Sequence, residues 1–151
     1  MNPYDRLKAL GITLPAPVTP LAAFVMAARS GDLVFVSGHI ARKDGKPIAG
    51  QLGDAFTAEE GKAAARLVGI DLLATLHAFL GDLGKVRRIV KVLCLVNSAP
   101  GFTNQPLVAN GCSELLVEVF GECGRHARSA VGVAQLPLGA CVEIELVAEA
   151  G

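Results

Sequence analysis

Residues 89–97, Ile-Val-Lys-Val-Leu-Cys-Leu-Val-Asn, are apolar at nearly every position. A strand with one solvated face alternates apolar and polar residues, and a strand that does not alternate is covered on both faces. This segment therefore belongs inside a sheet. It is covered either by structure of its own chain on both sides, or by helices on one side and another subunit on the other. The rest of the chain has to supply that cover. Its 151 residues suffice for one domain with a full core. At 52% hydrophobic and 19% charged it is more apolar than a small monomer needs, which points to subunit interfaces.

Two segments read as the covering helices. Thr57, followed three residues later by Glu60, is a capping box that opens a long helix. Ala64, Leu67, Val68, Leu72, Ala74, Leu76 and Leu80 give it a broad apolar face, and Gly81 or Gly84 closes it. Gly69 inside it costs about 1 kcal/mol relative to Ala, so a close helix–sheet approach is expected there. A second helix runs from Leu107 to Phe120, with Leu115, Leu116, Val119 and Phe120 inward.

The remaining apolar runs read as strands. Phe24–Ser30 and Leu33–Ser37 form a hairpin around Ser30-Gly31-Asp32, ending at Ser37-Gly38-His39. Residues 127–136 and 140–148 complete the set. A short helix over residues ~3–10, with Pro3 in its first turn and Tyr4, Leu7 and Leu10 on one face, is ended by Gly11. Pro15, Pro17 and Pro20 make the following stretch an extended arm. The order β, β, α, β, α, β, β predicts an α+β fold, a mixed sheet with two helices on one face. The N-terminal helix and arm, residues 1–21, precede a single domain at 22–151.

Several function classes are disfavoured. With 14 basic and 14 acidic residues the net charge is zero, no basic run occurs, Trp is absent and Tyr occurs once. Nucleic acid is thus disfavoured as a partner, since the chain offers neither phosphate neutralisation nor a stacking platform. No stretch of ~18 uncharged apolar residues suggests a membrane span, and the N-terminus has no signal-peptide core. Cys94, Cys112, Cys123 and Cys141 form no CxxC pair, so free thiols in a reducing cytoplasm are expected and no metal site is. Phosphate-binding glycine loops and the GxSxG nucleophile signature are missing from the sequence.

Three places could carry chemistry. Arg128 opens an apolar strand. Its guanidinium is either a bidentate anchor for a substrate carboxylate or one half of an ion pair. Glu143 and Glu145 share one face of the last strand, either as a general acid–base with a burial-raised pKa or as solvated or interface-paired carboxylates. Ser37, Gly38 and His39 end a strand. Gly38 would let a ligand approach the backbone, and His39 is a candidate proton carrier with no acidic orienter nearby. If the last two strands are antiparallel neighbours, Arg128 and Glu143 lie at opposite ends, so they would share a site only across a subunit boundary.

The segments Ala127–Pro137 and Val142–Glu145, with Leu33–His39 and Arg88–Asn97, resemble in order the signature elements of the Rid family (YjgF/YER057c/UK114), also labelled endoribonuclease L-PSP. The resemblance spans residues ~22–148; the N-terminal helix and arm resemble a longer branch. It implies a chorismate-mutase-like fold of the Bacillus type and a homotrimer with clefts between subunits. It also implies cofactor-free hydrolysis of carboxylate-bearing enamine and imine intermediates to 2-oxo acids and ammonia. Arg128 matches the family's carboxylate-holding arginine and Glu143 its water-positioning acid. The Gly38 backbone and Asn110 match further cleft positions. Departures are Ala130, where many deaminating members carry Cys or Thr, Phe24, where they carry a pocket Tyr, and Gly132, where an acidic residue is common. A carboxylate-binding trimer without catalysis is the alternative, and a ribonuclease the least supported.

Overall fold

The computed structural model describes residues 2–20 and 22–151. Helix α1 spans Pro3–Ala9, and its N-cap Asn2 accepts from the Asp5 amide at 3.0 Å. The expected boundary between arm and domain falls on Leu21, outside the described residues. Strands β1 (Ala27–Ser30) and β2 (Leu33–Ile40) form the hairpin. The tiny pair β3 (Arg42–Lys43) and β4 (Lys46–Pro47) turns through Asp44 and Gly45. Then come α2 (Ala58–Leu80), β5 (Val86–Asn97), α3 (Gln105–Phe120), β6 (Ala127–Val133) and β7 (Val142–Ala150).

The five-stranded sheet has the order β1-β2-β7-β5-β6, with β5 and β6 parallel and every other pair antiparallel. This is the mixed sheet of an α+β fold. The unalternating segment, β5, is indeed interior. Helix α2 packs on β2 and β7, and α3 on β5 and β6. Alternate residues of the central strands enter this layer: Val34 and Val36, Val92, Cys94 and Val96, and Ile144, Leu146 and Ala148 are buried. The opposite face carries Phe35, Leu93, Leu95, Glu143, Glu145 and Val147, none of them buried. Helix α2 is long and apolar enough to cross a bilayer by length and composition. Here it is a core helix, with 61% of its most apolar window buried.

The Thr57 capping box forms as expected: the Thr57 hydroxyl accepts from the Glu60 amide and the Glu60 carboxylate from the Thr57 amide. The close approach at Gly69 is helix to helix, not helix to sheet. A Cβ there would meet Leu115 Cδ2 of α3 at 2.9 Å and Cys112 Sγ at 3.3 Å. The crossing is tighter still at Gly111, where a Cβ would run into the Lys62 carbonyl oxygen. Both glycines exchange helix propensity for a closer α2–α3 contact.

Other expectations shift at their ends. Phe24 precedes β1, which begins only at Ala27, and is about half exposed. Strand β2 continues past Ser37 through His39 because a β-bulge absorbs the irregularity. Val36 pairs with Leu146 and His39 with Ile144, so Ser37 and Gly38 together face Glu145. Strands β6 and β7 are not neighbours; β5 lies between them. The N-terminal helix is fastened to the domain by Tyr4, whose hydroxyl accepts from the Leu83 amide and bonds His77 Nδ1, both at 2.8 Å.

Candidate functional site

Two sheet rows organise the residues singled out in the sequence. Arg128, Val92 and Leu146 lie side by side, as do Val131, Leu95 and Glu143. Neighbours across a sheet point to the same face, and an offset of three positions reverses the face. Arg128 therefore projects to the helix side and Glu143 to the open side. They are also roughly 10 Å apart along the strands and roughly 10 Å apart across them. The two groups do not meet within one chain.

On the helix side, at the edge strand, Arg128 reaches α3. Its Nη1 donates to Asn110 Oδ1 at 2.8 Å and to Ser113 Oγ at 3.1 Å, and Nη2 points at the Pro106 carbonyl at 3.4 Å. Both Nη1 hydrogens are thereby used. Nε and one Nη2 hydrogen have no acceptor among the described residues. Asn110, Ser113, Val117, Arg125, His126 and Arg128 line a shallow cavity of about 250 Å³. Arg125 is exposed, with a loose 3.7 Å pair to Glu122. The cavity thus holds two guanidiniums and lines its walls with no carboxylate, which suits it to an anion.

His126 and Ser113 were not singled out in the sequence for this position. His126 Nε2 lies 2.9 Å from Ser113 Oγ, and its Nδ1 lies 2.7 Å from the Gly124 carbonyl oxygen. Burial holds this imidazole below its usual pKa. The Gly124 carbonyl works against the shift and the Arg128 charge adds to it. The ring is therefore neutral at neutral pH.

On the open side, Glu143 lies over the bulge of β2. A Cβ on Gly38 would collide with the Glu143 carboxylate, so glycine is needed there for this close approach. Burial, and then the Glu145 charge, push the Glu143 carboxyl above the usual carboxylate range. Ser37 donates to the Val25 carbonyl at 2.6 Å, which holds the segment after Phe24 against this end of β2. Phe24, Ser37, Gly38 and Glu143 therefore belong to one region, and Arg128 and Asn110 to another.

His39 and Ala130 belong to neither opening. The bulge turns His39 into the helix-facing layer, 2% exposed, where Nε2 bonds Thr75 Oγ1 at 2.8 Å and Nδ1 bonds the Ser37 carbonyl at 2.6 Å. No ligand reaches that ring in this arrangement. Ala130 packs against the core, in the same row as Cys94 and Ile144. The buried thiols of Cys94 and Cys141 are pushed up to about 12 and about 11 by burial, leaving neither as a thiolate at neutral pH.

A mixed five-stranded sheet under two helices, with an arginine at its edge strand and a carboxylate over a glycine bulge, defines a small α+β protein of the YjgF type. The chain belongs to the family described as "YjgF/chorismate_mutase-like, putative endoribonuclease", which it matches over residues 4–150, the N-terminal helix included. It is 49% identical to Protein TCP17 of Trypanosoma cruzi over 146 residues, 95% of this chain and 91% of that protein. Among solved structures it resembles Atu1372 of Agrobacterium tumefaciens, of unknown function, with 42% identity, TM-score 0.92, and 99% and 92% of the two chains covered. RidA from the Antarctic bacterium Psychrobacter is more distant, with 27% identity, TM-score 0.58, and 91% and 95% covered.

Proposed function

We propose that the protein hydrolyses reactive enamine and imine intermediates to 2-oxo acids and ammonia, at clefts between the subunits of a homotrimer in the cytoplasm. The observation that carries this reading is the state of Arg128. Asn110 and Ser113 occupy one side of its guanidinium, and the rest faces an anion-sized cavity with unpaired donors. A planar fork fixed in this way suits a substrate carboxylate.

The chemistry asks for little more. Water adds to the iminium carbon, and the carbinolamine collapses with loss of ammonia. Anchoring and a proton carrier supply the catalysis. Glu143, with its raised pKa, is the proton carrier in this reading. Because it lies on the opposite face from its own Arg128, it would serve the Arg128 of a neighbouring subunit. The open face with Phe35, Leu93, Leu95 and Val147 supports such an assembly, since none of these apolar side chains is buried in a single chain. Phe24, Ser37 and the Gly38 backbone would line the cleft from the Glu143 side.

A carboxylate-binding trimer without turnover is the second reading. Phe24 favours it, because its ring supplies no hydroxyl for proton transfer. Both readings are tested by generating imines with an L-amino-acid oxidase and following their loss. Acceleration over solvent supports the hydrolase. No acceleration with any of several amino acids, together with saturable carboxylate binding, supports the binder.

A further inference from the structure

The Ser113–His126 pair is not used by imine hydrolysis. Its hydrogen positions follow from its partners. A carbonyl oxygen only accepts, so the Gly124 contact places the proton of the neutral imidazole on Nδ1. Nε2 then carries the lone pair, and the Ser113 hydroxyl donates to it at 2.9 Å. Arg128 Nη1 donates to the same serine oxygen at 3.1 Å, which favours the alkoxide. A hydroxyl, a neutral base that accepts its proton, and a third group that fixes the base are the components of an activated nucleophile.

Hydrogen bonding alone does not mark such a site, because His39, Thr75 and the Ser37 carbonyl repeat the pattern inside the core. Access and charge separate the two. Thr75 and His39 are 3% and 2% exposed. Ser113 and His126 are half-buried and line the cavity that also holds Arg125 and Arg128.

We propose that Ser113 is a nucleophile, with His126 as its base, towards small carboxylic esters that bear a second, anionic group. Arg125 anchors the anion, and the Arg128 guanidinium takes up charge on the carbonyl oxygen. Ser113 Oγ bonds to the ester carbon as its proton passes to His126 Nε2. The carbon–oxygen bond to the alcohol breaks, and that alcohol leaves with the proton from His126. Water then attacks the acyl carbon, giving one proton to His126. The acyl–serine bond breaks, and Oγ takes that proton back. The products are one carboxylic acid and one alcohol.

The test is labelling of the native protein with diisopropyl fluorophosphate, followed by intact mass and peptide mapping. A single adduct on Ser113 is expected, with Thr75 unmodified. His126→Gln should slow labelling on the order of 10²-fold, the usual worth of a general base. The protein should hydrolyse the 4-nitrophenyl monoester of succinate faster than neutral 4-nitrophenyl butyrate, and Arg125→Ala should erase that preference. No adduct on the folded wild-type protein, or ester hydrolysis that survives Ser113→Ala, overturns the proposal. Imine hydrolysis, measured on the same preparation, keeps the two readings apart. An adduct without imine turnover sinks only the imine reading, and imine turnover without an adduct sinks only this one.

Discussion

The same three-part device occurs twice in this molecule, at two places in the sheet. In each, a histidine donates through Nδ1 to the carbonyl two residues before it and accepts through Nε2 from a hydroxyl on a helix. His39 joins β2 to α2 through Thr75, and His126 joins the start of β6 to α3 through Ser113. The first is sealed under the helix layer on an interior strand. The second stands at an edge strand, where α3 leaves a cavity and two arginines converge. Local geometry is thus shared, and position in the sheet decides what it does. An interior strand turns the pair into a structural clasp between sheet and helix; an edge strand opens it to a cavity beside two guanidiniums. Arg128 is what the second copy has and the first lacks. In the first, the neighbouring cation Arg42 is taken by Asp71, at 2.9 and 3.1 Å.

The largest effect is expected from removing that distinguishing cation. Arg128→Ala should lower kcat/KM for imine hydrolysis by about 10²–10³-fold, the usual consequence of deleting a preorganised donor. The assembly seen by size-exclusion chromatography should not change. Activity within a few-fold of wild type would remove Arg128 from the site and leave the two histidine devices functionally alike.

Next comes the hydroxyl partner in each copy. Thr75→Val leaves His39 Nε2 in the core without a donor, so unfolding free energy should fall by about 1–3 kcal/mol, with catalysis per folded molecule intact. Ser113→Ala exposes His126 Nε2 to a cavity that water reaches, so about 1 kcal/mol or less is expected. Urea midpoints of the two variants decide it. Equal losses would mean that the outer pair is as structural as the inner.

These two devices also show where the sequence was silent. Counting by twos from Val34 and Val36 puts Gly38 inward and His39 outward. The bulge at Ser37 and Gly38 inserts one residue and reverses the faces, and nothing in the alternation announces it. The clasp to Thr75 spans 36 positions and follows only from where α2 crosses β2. Ser113 and His126 are 13 apart, but their meeting depends on the rotation of α3, which its apolar face alone constrains loosely. By contrast, the interior place of β5, the Thr57 cap and the α+β class follow from periodicity and capping chemistry, which are local. Arg128 and Glu143 were legible as residue types on strands. Their separation has a different cause from the one expected: opposite faces of a sheet with β5 between, not opposite ends of a hairpin.

Acidification should act on both copies in the same direction. Each imidazole is held below its usual pKa chiefly by burial. The unfolded chain therefore binds more protons than the folded one between the two pKa values, and stability rises with pH through that window. The contribution is fully present above about 6.5, the unfolded value, and is lost as pH falls through the lower folded values. Thermal midpoints should drop as pH falls below about 6.5. His126→Gln should remove only part of this slope, because the deeper His39 retains its share. A slope abolished by His126→Gln would place the sensitivity entirely at the exposed copy.

The smallest effect on stability concerns the carboxylate on the other side of the sheet. Glu143 has its pKa raised by burial and by Glu145, so the folded state binds its proton more tightly than the unfolded state does. The sign is then the reverse of that for the histidines. Stability from this group is full below about 4.5 and is lost as pH rises through the elevated folded value. At neutral pH the charge is a cost, and Glu143→Gln, which keeps the shape above Gly38, should raise the thermal midpoint slightly at pH 7 and not at pH 4. The same substitution should sharply reduce imine hydrolysis if Glu143 carries protons there. A variant that is more stable yet inactive would mean that this face keeps a destabilising charge for chemistry. One that is more stable and fully active would leave the reaction to the side where Arg128, Ser113 and His126 stand.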